Sequence, residues 1–265
     1  MQTASLGGSA EAIWQAVVPA LPGFTVEIVP EIDSTNTELM RRARLGPLDP
    51  VLLVAEQQTA GRGRLGRGWY SQAGQSLTFS LGLTLAPFNW SGLSLAVGVS
   101  LAEQLHADVR LKWPNDLWLQ GRKLGGILVE TAGQADTANA PRSVVIGVGI
   151  NVARPAETAT QAAQATLPGV PPAGMAEVDM GVTAAELLAR VVPALVTDVQ
   201  LFAQNGFAAF AQRFAQRDAL RERAVTLSDG RTGTACGVAD DGALRVLVDG
   251  QVQRVDSNEV SVRPC

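Results

Sequence analysis

The middle of the chain is a succession of short apolar runs, and this succession constrains the fold more than any other feature. Val51–Ala55 is uninterrupted and apolar after Pro50, which is typical of a buried strand. Ser76–Leu85 alternates as a strand with two different faces does. Further runs of this kind are Val109–Trp113, Leu124–Thr131 and Ser143–Val152. One helix, Leu93–Leu105, is predicted between these runs. Because the predicted strands are more numerous than the helices here and several follow one another directly, we predict an α+β fold with a mixed sheet flanked by helices.

Helix signals place the remaining elements of this part. Thr35 and Glu38 have the spacing of a capping box, which predicts a helix that begins here and ends before Pro47. Other predicted elements are a helix over Glu11–Val18, a strand over Phe24–Val29 and a helix over Ala184–Phe214, in which Pro193 marks a kink or a boundary. The segment 153–180 is rich in Ala, Pro, Gln and Gly, which predicts a surface segment.

From about Ala224 the sequence changes to short β runs separated by turns. Three Asp-Gly pairs punctuate these runs: Asp229-Gly230, Asp241-Gly242 and Asp249-Gly250. Asp-Gly between alternating runs is a strong hairpin signal, so we predict a small antiparallel barrel. The predicted organisation is a catalytic domain over residues 1–220 and a small domain over residues 221–265, which is too short to hold a separate catalytic core.

Charge and composition exclude several classes of protein. The formal net charge of −4 and the pI of about 5.1 give no global basic field, which argues against a DNA partner. No apolar stretch reaches the roughly 18 residues of a membrane span, and no signal-peptide pattern is present. Cys236 and Cys265 show neither metal-ligand spacing nor a disulfide framework. We therefore expect a cytoplasmic protein without a membrane partner or a metal site of its own.

The Gly/Arg loop, residues 61–67, is the first candidate for chemistry. Its glycines let the backbone approach an anion while the guanidinium groups of three arginines bind it. It is not a Walker A loop, since no Lys-Ser/Thr follows, and its spacing does not fit a Rossmann fingerprint. A solvated loop with surface salt bridges and an RNA-binding RG segment are the alternative interpretations.

Three further clusters each have a functional and a structural interpretation. Lys112–Asp116 places a cation and a carboxylate where a strand meets a loop, which suits Mg²⁺ or a lysine, although Pro-Asn-Asp is also ordinary turn chemistry. Lys123 stands before a Gly-Gly pair that leaves room for a ligand, or else belongs to an edge hairpin. The strand Gly147–Val152 carries two glycines, which indicates a pocket wall or a bulge.

The order of these motifs resembles the biotin protein ligase family. STNTE (34–38), EQQTAGRGRLGR (56–67), KWPND (112–116), RKLGGILVE (122–130) and GVGINV (147–152) follow one another with short spacings. The resemblance covers residues 30–152, and it extends more weakly to VDSNEVSVR near the C-terminus, where Asn258 replaces a usual glycine. It implies a fold related to class II aminoacyl-tRNA synthetases and lipoate ligases, with an SH3-like C-terminal domain.

The resemblance also implies a reaction and its residues. Such an enzyme activates biotin with ATP as biotinyl-5'-AMP, with Mg²⁺ as partner of the phosphates, and passes biotin to a lysine of a biotin carboxyl carrier protein. The matched site residues are Ser34, Thr35 and Asn36, which contact biotin; Gln58, Arg62, Gly63 and Arg64, in the biotin and adenylate loop; Lys123, at biotin and its activated carboxylate; Lys112 and Asp116, at the reaction centre; and Gly126 and Gly147, beside the ligand. Lys112, Asp116, Lys123 and Arg64 are the expected catalytic residues.

Some alternatives remain open at this point. About 30 residues precede the matched segment, which is too few for the DNA-binding domain of the family's longer form, so the short monofunctional form is expected. A lipoate ligase shares the fold and the adenylate chemistry, and a non-catalytic binding protein could retain the pocket. The sequence leaves open whether the chain forms a homodimer.

Overall fold

The computed structural model describes residues 6–133, 140–156, 172–227, 230–256 and 262–264. Its larger sheet has seven strands: β1 (Thr25–Ile32), β2 (Val51–Gln58), β3 (Ser76–Leu85), β4 (Val109–Lys112), β5 (Asp116–Leu119), β6 (Arg122–Ala132) and β7 (Arg142–Asn151). Their order across the sheet is β1-β2-β3-β7-β6-β5-β4. Strands β1 and β2 are parallel and all other neighbours are antiparallel, so the predicted mixed sheet is confirmed.

Helices cover the two faces of this sheet unequally. The helices are α1 (Leu6–Val17), α2 (Thr35–Leu45), α3 (Leu93–Leu105), α4 (Ala184–Asn205) and α5 (Ala211–Arg217). In β2, Leu52 and Val54 belong to the large core formed with α1, α3 and α4, whereas Leu53 packs with α2 on the opposite face. This alternation is the strand periodicity that buries both faces. Because α2 covers only part of its face, the rest of that face is available for a site.

The sequence prediction differs from the structure in the cap of α2, the course of α4 and the presence of β5. The N-cap of α2 is Ser34, whose Oγ accepts a hydrogen bond from Thr37 N, so Thr35 is the first helical residue and not the cap. Helix α4 continues through Pro193 and ends at Asn205, where Gly206 begins a short 3-10 turn before α5. The strand β5 was not predicted, since its four residues directly follow a turn.

The C-terminal part forms a second, five-stranded antiparallel sheet. Its strands are β8 (Ala224–Leu227), β9 (Thr232–Val238), β10 (Leu244–Val248), β11 (Gln251–Val255) and β12 (Val262–Pro264), in the order β11-β10-β9-β8-β12. Hairpins at Asp241-Gly242 and Asp249-Gly250 are confirmed. The sheet agrees with the expected small SH3-like domain, while the boundary at residue 220 stays a prediction.

Several sequence predictions fall outside the described residues. They concern Asp229 in the first Asp-Gly pair, Asn258 in the closing segment, Cys265, and residues 157–171 of the Ala/Pro/Gln/Gly-rich segment. Among the helices of the described part, none is long and apolar enough to cross a membrane.

The small sheet docks on the larger domain through the turn between β9 and β10. Trp113 follows β4, is 1% exposed, and donates a hydrogen bond from Nε1 to the carbonyl of Gly242 at 3.0 Å. Gly242 has a φ of +83°, and a Cβ at this position would lie 2.8 Å from the Cα of Gly92 at the start of α3. The turn is therefore held against the backbone that supports Lys112 and α3.

We expect Gly242→Ala to lower the free energy of unfolding more than Gly250→Ala. Both glycines follow an aspartate and have positive φ, +83° and +79°, so both variants lose roughly 1–2 kcal/mol to backbone strain. Only Gly242 meets the larger domain, and the clash should add roughly 1–3 kcal/mol. Thermal and urea unfolding of both variants measure the difference, and equal losses would show that the turn is not held as described.

Candidate active site

A single cavity collects the residues that the motifs singled out. It lies on the α2 face of the seven-stranded sheet, beneath the Gly/Arg loop. All twelve residues matched to the family's site line it: Ser34, Thr35, Asn36, Gln58, Arg62, Gly63, Arg64, Lys112, Asp116, Lys123, Gly126 and Gly147. These residues come from separate segments of the chain, so the fold brings together what the sequence keeps apart.

The floor of the cavity is a row of residues paired across five adjacent strands. From β3 to β4 the row reads Thr78, Gly149, Gly126, Asp116 and Lys112. Paired residues point to the same face of a sheet. The two glycines therefore leave a trough in the middle, and the carboxylate and the ammonium group stand at one end of it.

A β-bulge adds a second lysine to this face. Asp116 pairs with Gly126 but Trp118 pairs with Lys123, so Leu124 is an extra residue in β6. If all these residues paired regularly, Lys123 and Gly126 would point to opposite faces, since three positions separate them. The bulge turns Lys123 toward the trough, and its Nζ lies 2.8 Å from Asp116 Oδ1.

Asp116 is the electrostatic centre of the cavity. Burial raises the pKa of its carboxyl group, but the charges of Lys123 and Lys112 outweigh this and hold the pKa below its usual value. Lys112 Nζ lies 3.7 Å from Asp116 Oδ2 and 5.5 Å from the ring centroid of Trp118. Burial lowers the pKa of Lys112, and the charge of Asp116 opposes that effect. Burial also lowers the pKa of Arg64, again opposed by Asp116.

A buried polar network forms the other end of the cavity. Gln58 Oε1 accepts hydrogen bonds from the backbone N and the Oγ1 of Thr35, at 2.8 and 3.1 Å. Ser80 Oγ lies 2.7 Å from both Thr35 Oγ1 and Asn36 Oδ1. Because an amide oxygen only accepts, the Ser80 hydroxyl donates to Asn36. Asn36 Nδ2 in turn donates to Glu130 Oε2 at 2.9 Å, so the orientation of the amide is fixed from both sides.

The glycines of β7 make room for side chains from elsewhere. A Cβ on Gly147 would lie 2.0 Å from Asn36 Oδ1, and one on Gly149 would lie 2.4 Å from the ring of Trp69. Gly147 lines the cavity as expected, and it also admits the amide of Asn36. The strand thus carries an amide and an indole over its backbone where ordinary side chains would stand.

The Gly/Arg loop closes on itself above the trough. Gly63 N donates to Arg67 O at 2.7 Å, and Trp69 N donates to Gly61 O at 2.8 Å. A Cβ on Gly61 would lie 2.6 Å from the Trp69 carbonyl oxygen, so this close approach requires glycine. Arg62 and Arg64 both line the cavity, and Arg62 forms an ion pair with Glu130.

Four residues of this arrangement were not among the matched site residues. Arg67 and Trp69 line the cavity, and Ser80 and Glu130 support it from behind. Arg67, Trp69 and Glu130 stand within or next to the quoted motifs but were not selected. The only signal for Ser80 was its place among the polar positions of the alternating strand Ser76–Leu85.

In the described part of the chain, no group of three or more His, Cys, Asp or Glu side chains is placed to hold a metal ion. Both carboxylate oxygens of Asp116 already face lysines. The cavity therefore suits a cation that arrives with its own anionic ligands better than one held by a protein cage.

Comparison with known proteins gives a consistent result. Residues 28–151 match the biotin/lipoate A/B protein ligase family. The bifunctional ligase/repressor BirA of Escherichia coli K12 is 39% identical over 259 residues, which cover 93% of this chain and 77% of that protein. The biotin–[acetyl-CoA-carboxylase] ligase of Paracoccus denitrificans is 33% identical over 233 residues, which cover 80% of this chain and 90% of that protein.

Solved structures show the same similarity. The biotin protein ligase from Aquifex aeolicus in complex with biotin and ATP superimposes with a TM-score of 0.71 and 27% sequence identity. The match covers 91% of this chain and 99% of the Aquifex chain.

We expect Gly147→Ala to impair biotin binding while the chain still folds. The new methyl group would displace the amide of Asn36 and break its bonds to Ser80 and Glu130, at a cost of roughly 1–3 kcal/mol. Gly46→Ala is the control, because a Cβ on Gly46 would have no other atom within 4 Å. Calorimetry with biotin and thermal unfolding give the two measurements; an unchanged affinity in Gly147→Ala would argue against a role of Asn36 in biotin binding.

Proposed function

The chain belongs to the biotin/lipoate A/B protein ligase family and is an ATP-dependent biotin–protein ligase, and from this premise we propose how its residues divide the reaction. It activates biotin as biotinyl-5'-AMP and transfers biotin to a lysine of a biotin carboxyl carrier protein. The observation that carries the division of roles is the single cavity, with a polar network at one end and cations around a carboxylate at the other.

The polar end is proposed to bind the ring system of biotin. Its ureido group presents both donors and a carbonyl acceptor, and the network of Thr35, Asn36 and Gln58 offers partners of both kinds in fixed orientations. Ser34, the cap of α2, lines the same end. Gly126 and Gly147 leave space for the ligand between this end and the lysines.

The cationic end is proposed to carry out adenylation. The biotin carboxylate must attack the α-phosphate of ATP, and the repulsion between two anions must first be screened. Arg62, Arg64 and Lys123 line the cavity where that screening is needed, and Lys112 stands beside them. Mg²⁺ is proposed to enter with ATP, bound to the phosphate oxygens.

Asp116 is proposed to act in the transfer of biotin to the carrier. The attacking lysine arrives as an ammonium ion and must lose a proton before it becomes a nucleophile. Because the pKa of Asp116 lies below its usual value, its carboxylate is a weak base and a strong site for a cation. Asp116 is therefore better suited to hold and orient the incoming lysine than to remove its proton.

The finer points of the assignment are also proposals. We propose the cytoplasm as the place of action, no DNA partner, in keeping with the net charge of −4, and a domain boundary at residue 220. Since the family includes lipoate ligases, adenylate formation in a mixture of biotin and lipoate tests the substrate; preference for lipoate would overturn the assignment.

The experiment that tests the proposal is biotin-dependent exchange between ATP and pyrophosphate. We expect Lys123→Ala to lose most of this exchange, since its Nζ is the cation paired with Asp116 at 2.8 Å. Arg122→Ala is the matched control, because Arg122 precedes Lys123 but pairs with Glu177 away from the cavity. A folded Lys123→Ala with wild-type exchange would refute the role.

We expect Arg64→Ala to weaken binding of the adenylate more than binding of biotin. A guanidinium contact to the phosphate exists only after AMP is attached, and losing a charged hydrogen bond costs roughly 1.5–3 kcal/mol. Calorimetry with biotin and with a non-hydrolysable adenylate analogue separates the two affinities. Arg44→Ala, on the exposed end of α2, controls for loss of charge. Equal losses for both ligands would place Arg64 away from the phosphate.

A further inference from the structure

Glu130 connects the two ends of the site although it is not among the residues that line the cavity. Its Oε2 accepts a hydrogen bond from Asn36 Nδ2 at 2.9 Å. The same carboxylate accepts from Arg62 Nη2, at 2.5 and 2.6 Å to its two oxygens. One side chain on β6 therefore holds both the start of α2 and the Gly/Arg loop.

Each of these contacts fixes something that the ligands need. The amide of Asn36 receives a hydrogen bond from Ser80 on its oxygen, and its nitrogen donates to Glu130 and, at 3.2 Å, to the carbonyl of Leu128, so Glu130 shares in holding the amide. Arg62 is proposed to meet the adenylate, and Glu130 keeps its guanidinium group over the sheet while no phosphate is bound. The position of Asn36 and the position of Arg62 thus depend on the same carboxylate.

We propose, on the basis of the function proposed above, that Glu130 is a positioning residue that couples the biotin end of the cavity to the Gly/Arg loop. Biotin that binds against Asn36 restrains Glu130, and Glu130 restrains Arg62 and the loop around it. The loop is then in place before the phosphates of ATP arrive. Glu130 itself touches neither biotin nor ATP.

The variant Glu130→Gln separates this coupling from simple packing. Glutamine keeps the shape of the side chain but replaces one acceptor oxygen with an N–H donor. With its oxygen at the Oε2 position, glutamine still accepts from Asn36, but it loses the charge that attracts Arg62 and places an N–H donor where Arg62 now meets Oε1. Glu38→Gln is the matched control: its side chain is 26% exposed, as that of Glu130 is, and it pairs with Arg41 and Arg42 outside the cavity.

The readout is trypsin cleavage after Arg62, Arg64 and Arg67, followed by mass spectrometry with and without biotin. We expect biotin to slow cleavage in the wild type and in Glu38→Gln but not in Glu130→Gln. Calorimetry should show a biotin affinity close to that of the wild type, because Asn36 keeps an acceptor in the glutamine oxygen and in the carbonyl of Leu128. Exchange kinetics should show the KM for ATP raised by roughly tenfold in Glu130→Gln, as expected for one lost charged hydrogen bond.

The outcomes distinguish the coupling from the function on which it rests. If Glu130→Gln keeps both the biotin-dependent protection and the wild-type KM for ATP, the coupling is wrong and the ligase function stands. If the wild type shows no biotin-dependent exchange, the proposed function fails first. Should Glu130→Gln not fold, Glu130→Asp carries the same test, because its shorter side chain cannot reach both partners; full protection there would overturn the proposal.

Discussion

The attraction of Asp116 for two lysines is the interaction on which the site depends. Lys112 and Lys123 stand on different strands of one sheet face, and their charges would repel each other if the carboxylate did not lie between them. The lysines in turn keep this buried carboxyl group ionised. Because β4, β5 and β6 each supply one member, the pairing of these three strands is required to place the carboxylate between the two ammonium groups.

A second constraint is the space that these charges and their ligands need on a sheet that is otherwise closely packed. The opposite face is filled by α1, α3 and α4, with residues such as Leu117 and Ile146 fully buried. On the site face, Gly126 and Gly149 remove side chains from the middle of the same strands. Because side chains alternate along a strand, the same strands supply core residues to one face and site residues to the other.

The sequence predicted the mixed sheet, the helices, the hairpins of the small sheet and the residues of the cavity, because these depend on local pattern or on motif order. The sequence missed two kinds of feature. The cap at Ser34 and the strand β5 are short-range features whose signals were ambiguous. Features that depend on contact between distant segments were also missed. The part played by Glu130 could not be predicted, since its partners stand 94 and 68 residues earlier in the chain.

The bulge at Leu124 lets β6 hold one residue more than β5 between the pairs on either side, while Lys123 and Gly126 stay on the same face. Leu124 is fully buried, so a change of side chain there is a matter of packing. Removal of this one residue would restore regular pairing and leave Lys123 opposite Trp118, on the face of the cavity. A gap at this point in an alignment of β6 would therefore cost the core one leucine and leave the lysine in place, whereas a one-residue slip in the pairing of β6 with β5 would turn Lys123 toward the hydrophobic core.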